Sequence, residues 1–141
     1  MPYTRLRYHL IIDTKSRTPW ITPEVEDILY PAIHKTIERL DGKLIRIGGV
    51  TDHVHMICAI RPKHAVSHFV GRIKCESSGH LSRTRSDLED FCWSDNYGAF
   101  TLNPFDMSDV LAYVSNQKHH HFTGELLDPF EQCDKTHEDA A

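Results

Sequence analysis

The order of apolar periodicities along this 141-residue chain predicts an α+β fold, a ferredoxin-like split βαβ core with an antiparallel sheet and one added C-terminal helix. Three observations carry the prediction. β-Branched and aromatic runs alternate with stretches of helical spacing in the order β-α-β-β-α-β, two of those strands are separated only by Thr51-Asp52, and a last helical stretch follows the final strand. At 16.3 kDa the chain has room for one domain with one core, so a two-domain cofactor enzyme is not expected.

Each element has a local reason. Between Tyr3 and Thr14, arginines alternate ahead of Tyr8-His9-Leu10-Ile11-Ile12, a strand pattern. Thr22-Pro23-Glu24 reads as an N-cap, a first-turn proline and an acidic first turn. Val25, Ile28, Leu29, Ala32, Ile33, Ile37 and Leu40 then recur at helical spacing. Pro31 removes the hydrogen bond to the Asp27 carbonyl, which predicts a kink, and Asp41-Gly42 supplies the stop. Lys43 to Val50 and His53 to Ile60 form a β-hairpin, with Gly48-Gly49 near its turn predicting a bulge or a close backbone approach.

A second amphipathic helix follows Arg61-Pro62, with Val66, Phe69, Val70 and Ile73 marking its inner side as far as about Leu81. The polar segment from Arg83 to Asp90 leads to Phe91-Cys92-Trp93 and to a fourth strand, Tyr97 to Leu102, broken by Asn103-Pro104. The last helix is expected from about Met107 to Phe122, capped by Asp106 or Ser108.

Composition bounds the function. Hydrophobic residues at 40% and charged residues at 26% are ordinary for a folded chain and disfavour disorder, collagen-like or coiled architectures. The net charge of −4 argues by itself against a phosphate-binding partner. Its distribution does not, because residues 125–141 alone carry −5, while the segment from Arg61 to Arg85 carries +5. Residues past Gly124 read as a mobile acidic tail. No apolar run is long enough to span a bilayer, and Met1-Pro2-Tyr3-Thr4-Arg5 does not open a signal peptide, so a cytoplasmic location without membrane contact is expected. Cys58, Cys75, Cys92 and Cys133 form no CxxC pair, which suggests neither a disulfide framework nor a zinc ribbon.

The chemistry-bearing residues begin with Thr51-Asp52-His53-Val54-His55. Strand side chains alternate, so His53 and His55 share a face, with Cα atoms about 6.5–7 Å apart. Two readings are open to such a pair, a grip on one divalent cation or two imidazoles on a wet sheet face. On the last helix, Tyr113 and Gln117 are one turn apart and share a face, and His120 continues their stripe. A glutamine carbonyl suits Mg²⁺ or Mn²⁺, and a tyrosine hydroxyl beside a bound phosphate is a possible nucleophile. Each residue alone would equally be a core tyrosine and a surface glutamine.

Taken together, Gly48-Gly49-Val50-Thr51-Asp52 before His53-Val54-His55, Tyr97-Gly98-Ala99-Phe100-Thr101 and Tyr113-Val114-Ser115-Asn116-Gln117 resemble the single-tyrosine HUH transposases of bacterial insertion sequences and their REP-associated relatives. The resemblance spans residues 3–124 and implies a catalytic domain over 1–124 followed by the tail at 125–141. It implies that His53 and His55 hold a divalent cation, Mg²⁺ or Mn²⁺, with Gln117 completing the protein share. Tyr113, carried by the added helix, would attack a phosphodiester in single-stranded DNA, leaving a 5′-phosphotyrosine and a free 3′-hydroxyl that later rejoins strands. The DNA would include hairpin ends of a mobile element, and the protein would act as a homodimer. A phenol has a pKa near 10, so help from a dication is chemically reasonable. The bond energy kept in phosphotyrosine needs no nucleotide, consistent with the lack of a GxxxxGK[ST] loop.

The basic segment then offers a DNA surface. Ser67, Gly71, Lys74 and Ser78 fall on one stripe of the second helix, flanked by Arg72 and Arg83, with small residues that let a phosphate backbone approach Lys74. A merely solvated outer face is the other reading. Asp52 either orients a histidine through its second ring nitrogen or serves the turn. The competing function is a ferredoxin-like DNA- or RNA-binding regulator that keeps the fold without catalysis. A third is a small structural protein with an incidental metal.

Overall fold

The computed structural model describes residues 2–116 and 118. The elements run β1 (Arg7–Asp13), α1 (Pro23–Arg39), β2 (Lys43–Gly49), β3 (His53–Ala59), α2 (Val66–Thr84), β4 (Gly98–Thr101) and α3 (Met107–Ser115). The four strands form one sheet in the order β2-β3-β1-β4 with every pairing antiparallel. This is the predicted ferredoxin-like α+β core with its added helix.

Local chemistry accounts for the boundaries. The Thr22 hydroxyl accepts from the Val25 N–H at 3.3 Å, and Pro23 opens α1, which is one continuous helix through Pro31. At its other end the left-handed position is Asp41 (φ 57°), not Gly42. The Gly42 N–H closes on the Ile37 carbonyl at 3.0 Å and the Asp41 N–H on Glu38 at 3.0 Å, the paired bonds of a Schellman stop. In β2 the register shifts between Leu44 and Arg46, so the bulge precedes the double glycine instead of sitting on it. The extra residue lets Leu44 and Ile47, three apart, both face the main core, while Ile45 joins the opposite face.

α1 and α2 cover one face of the sheet. Leu10, Ile12, Val54, Met56 and Cys58 pack there against Val25, Leu29, Ile33, Phe69 and Ile73. α3 covers the other face with a smaller cluster in which Met107, Val110 and Val114 surround Ile57. α2 runs one turn past the predicted Leu81, and a short 3-10 turn at Ser86–Leu88 occupies part of the expected polar linker. α3 begins as expected after Asp106 and runs to Ser115, with Asn116 as its C-cap; the rest of the expected span to Phe122, Lys118 apart, lies outside the described residues. The Asn116 side chain bonds the Ala112 carbonyl at 2.9 Å, a local competitor for the helix's own pattern. The expectations for Gln117, His120, Cys133 and the tail at 125–141 lie outside the described residues.

Candidate active site

Strand register assembles the site. β1 and β3 pair with Ile11 opposite His55 and Asp13 opposite His53, so His9, Ile11, Asp13, His53, His55 and Ile57 share the face that α3 covers. Gly48 of β2 also lies opposite His55. Its missing side chain matters, because a Cβ at Gly48 would overlap the Val114 carbonyl oxygen of α3. The helix backbone therefore settles directly on β2, and the residue before Val114 is brought to the histidines. The Tyr113 ring lies edge-on to the His55 ring at 6.1 Å between centroids, with 8% of the residue exposed. After α3, Lys118 pairs with Glu26 of α1 and donates to the Gly49 carbonyl at 3.1 Å.

His53 and His55 face each other at 5.2 Å between ring centroids and are 3% and 0% exposed. Buried imidazoles need partners. The His53 Nδ1 lies 2.7 Å from Asp52 Oδ1; a carboxylate only accepts, so Nδ1 carries a proton, and in the neutral ring Nε2 holds the lone pair. The orienting role weighed for Asp52 is thus met in the geometry. The His55 Nδ1 lies 2.7 Å from the Nε2 of His9, itself 1% exposed.

Arg17 closes the outer side. It follows Ser16 in a turn where both residues are left-handed (φ 58° and 54°), a conformation costing about 1 kcal/mol or more for each non-glycine residue. That turn aims the guanidinium at Asp13 (3.2 Å) and Asp52 (3.8 Å). Arg17 Nη1 also lies 3.2 Å from His53 Nδ1, but two N–H groups cannot bond each other, so the contact is one of proximity. Neither His9 nor Arg17 was singled out by sequence. His9 carried a usable signal, since it sits at strand spacing from Ile11, but choosing it required the register with β3.

Among the described residues, no group of three or more His, Cys, Asp and Glu side chains converges as a metal cage. His53 and His55 are the described side chains that could hold a divalent cation. Each imidazole has its Nδ1 engaged by a neighbour, and in one tautomer of each ring Nε2 carries the lone pair that a cation would need.

On the α2 stripe expected to meet DNA, Lys74 and Arg72 are engaged within the chain. Lys74 donates to the carbonyls of Ser94 and Asn96, both at 2.7 Å, and stands 5.8 Å from the Tyr97 ring centroid. It thereby anchors the loop before β4. Arg72 pairs with Glu76 at 2.7 Å, and Arg39 of α1 shares that carboxylate at 2.5 Å. Burial pushes the Glu76 carboxyl up, but the two guanidinium partners outweigh it and hold it below its ordinary value. The Ser78 hydroxyl donates back to the Lys74 carbonyl at 2.8 Å, whereas Ser67 and Arg83 are exposed. The stripe lies across the sheet from Tyr113. On the tyrosine's own face, register places Arg7 opposite Ala59 and Arg46 opposite Ile57. Trp93 is core, its indole N–H bonded to Ser77 Oγ at 3.0 Å.

No helix among the described residues is long and apolar enough to cross a membrane. Two solved structures share the fold. One is a Deinococcus radiodurans R1 protein solved as a transposase candidate, with TM-score 0.64 and 24% identity over 82% of this chain and 93% of that one. The other is a REP-associated tyrosine transposase bound to a REP hairpin, with TM-score 0.65 and 14% identity over 89% and 73%. Among curated relatives, the ISDra2 transposase TnpA of Deinococcus radiodurans is 25% identical over 118 residues, covering 80% of this chain and 84% of that protein. The transposase for insertion sequence element IS200 of Salmonella typhimurium is 26% identical over 127 residues, covering 86% and 82%. The family model for IS200-like transposases matches residues 2–117, a span that contains the hairpin histidines, the glycine beneath α3 and Tyr113, and the chain belongs to that transposase family.

Proposed function

We propose that this transposase-family chain cleaves and rejoins single-stranded DNA through a 5′-phosphotyrosine at Tyr113, with a divalent cation, Mg²⁺ or Mn²⁺, held by His53 and His55 and completed by Gln117. The observation that carries the reading is the edge contact of Tyr113 with His55 within one chain, made by a helix that sits on the sheet at Gly48. The Tyr113 oxygen attacks phosphorus, a tyrosyl–phosphate bond forms and the P–O3′ bond breaks; the departing 3′-oxygen takes up a proton. Rejoining runs the same exchange backwards from a free 3′-hydroxyl. A bound dication would neutralise phosphate charge and favour the tyrosinate, whose parent phenol has a pKa near 10 in water. Buried surroundings strengthen every such electrostatic term.

The DNA partner follows from the family and from the hairpin held by the REP-associated relative. Arg7 and Arg46 would meet the strand on the tyrosine's face, with His120 reaching phosphate nearby. Arg72, Arg83, Ser67 and Ser78 would touch a different stretch of DNA across the sheet, with Lys74 holding the loop beside them. Homodimerisation belongs to the same proposal, although Tyr113 packs against its own chain's histidine and asks for no partner at that contact. The test is to mix the protein with labelled single-stranded DNA carrying a hairpin and with Mn²⁺. Tyr113→Phe should lose the denaturant-resistant adduct and keep DNA binding, and His53→Ala should lose metal-dependent cleavage. An adduct that persists in Tyr113→Phe overturns the nucleophile assignment.

A further inference from the structure

The buried imidazole of His9 has no part in the chemistry above, yet its Nε2 stands within hydrogen-bond distance of His55. Ile11 stands opposite His55, which makes His9 and His55 diagonal neighbours on one sheet face. Their rings lie 5.0 Å apart with planes tilted 31°, and Nε2 of His9 is 2.7 Å from Nδ1 of His55. The Phe100 ring of β4 flanks His9 at 6.0 Å from the other side. Sheet register and this packing hold both rings, which are 1% and 0% exposed.

The 2.7 Å contact requires one proton between the two nitrogens. If His9 Nε2 carries it, His55 Nδ1 is the acceptor and the neutral His55 ring has its single N–H proton on Nε2, which then cannot ligate. If His55 Nδ1 carries it, His9 accepts and the His55 Nε2 lone pair is presented for coordination. Only the second arrangement serves a cation, and it matches the state that Asp52 imposes on His53.

We propose that His9 is the positioning residue of the proposed metal site, accepting the His55 Nδ1–H and so fixing both the tautomer and the ring orientation of that ligand before the cation arrives. The inference rests on the metal reading given above. It also makes the two ligands unequal, because a carboxylate backs His53 while a neutral imidazole backs His55.

The test compares wild type with His9→Gln, His9→Asn and His9→Leu. Glutamine can place an acceptor near the position of His9 Nε2; asparagine falls short, and leucine has none. In the metal-free wild type, long-range ¹H–¹⁵N spectra should find His55 as the Nδ1–H tautomer; an Nε2–H tautomer overturns the proposal. Binding of Mn²⁺ without DNA, followed by the electron paramagnetic resonance of the free ion, should weaken about 10- to 100-fold in His9→Leu and His9→Asn. His9→Gln should stay within about threefold of wild type, which mere filling of the core would not explain. Wild-type Mn²⁺ affinity in His9→Leu, or a Gln variant no better than Asn, overturns the role of His9. His53→Ala separates the two levels. If it binds Mn²⁺ as wild type does, the metal reading itself fails; if it abolishes binding while His9→Leu does not weaken it, only the role of His9 fails.

Discussion

Replacing Gly48 by alanine tests how the tyrosine is delivered. The added methyl would overlap the Val114 carbonyl oxygen, a backbone atom that cannot rotate aside as a side chain would. Restoring ordinary van der Waals contact requires α3 to retreat from β2 by about 1 Å. No left-handed backbone complicates the change, since Gly48 does not take a positive φ. Overpacking of this kind costs about 1–3 kcal/mol of stability. The larger effect falls on rate. Tyr113 adjoins Val114 and moves with it away from His55; with Tyr113 in its proposed role as nucleophile, a displacement of about 1 Å costs on the order of 100-fold, or about 2.7 kcal/mol of barrier. Gly71 provides the control, because a Cβ there meets nothing within 4 Å. As an exposed position inside α2 it should gain about 0.5–1 kcal/mol as alanine. Urea unfolding gives the stabilities, and the initial rate of adduct formation on labelled single-stranded DNA, taken well below each variant's melting point, gives the chemistry. Wild-type rate and stability in Gly48→Ala would refute the close approach of α3 as the device that positions Tyr113.

Ser77→Ala should destabilise by about 1–3 kcal/mol in urea, because it strands the buried Trp93 indole N–H that now bonds Ser77 Oγ at 3.0 Å; a loss under about 0.5 kcal/mol would mean the indole finds another acceptor. Burial pushes the Cys58 thiol up, so iodoacetamide at pH 8 should modify the exposed Cys75 and Cys92 and reach Cys58 only on unfolding, as read by peptide mass mapping. Glu76 has a lowered carboxyl, so the stability from its pairs with Arg39 and Arg72 is fully present above the ordinary value of 4.5 and is lost as pH falls through its lower folded value. The stability gap between wild type and Glu76→Gln should therefore stay level from pH 7 to about 5 and narrow below about 4.5, and a gap that widened in acid would contradict the sign.

Much of the fold is legible because its signals are local. Thr22-Pro23 starts α1 through one hydroxyl and one fixed φ, and Thr51-Asp52 leaves the adjoining strands no option but a hairpin. The details that sequence leaves open depend on what the chain meets elsewhere. Asp41 takes the left-handed position because the αL conformation is open to a short polar side chain, while Gly42 is needed for room, its missing Cβ lying against the Ala59 carbonyl. The bulge falls at Ile45 because two cores on opposite faces compete for β2, a fact invisible in a single apolar run. Lys74 looks like a free cation on a helix stripe until the loop from Ser94 to Asn96 folds over it.

The site divides in the same way. His53 and His55 can be paired from strand alternation alone, and Tyr113 can be set one helical turn from Gln117, but with 11 histidines in the chain no single imidazole stands out. Burial is what separates them. His34, His68 and His80 are exposed, whereas His9, His53 and His55 are 1%, 3% and 0% exposed and lie on one sheet face. Removing three imidazoles from water is costly unless each nitrogen's hydrogen bonding is provided for, and the contacts with Asp52 and between His9 and His55 do that at Nδ1 of both hairpin histidines. Such provision comes from β1 and from the turn before β3, so it depends on strand register, which a lone sequence expresses only once the sheet has formed. A pattern of the form His-x-His therefore gains its meaning from the residues behind it, and here those are an aspartate next in sequence and a histidine 46 positions away.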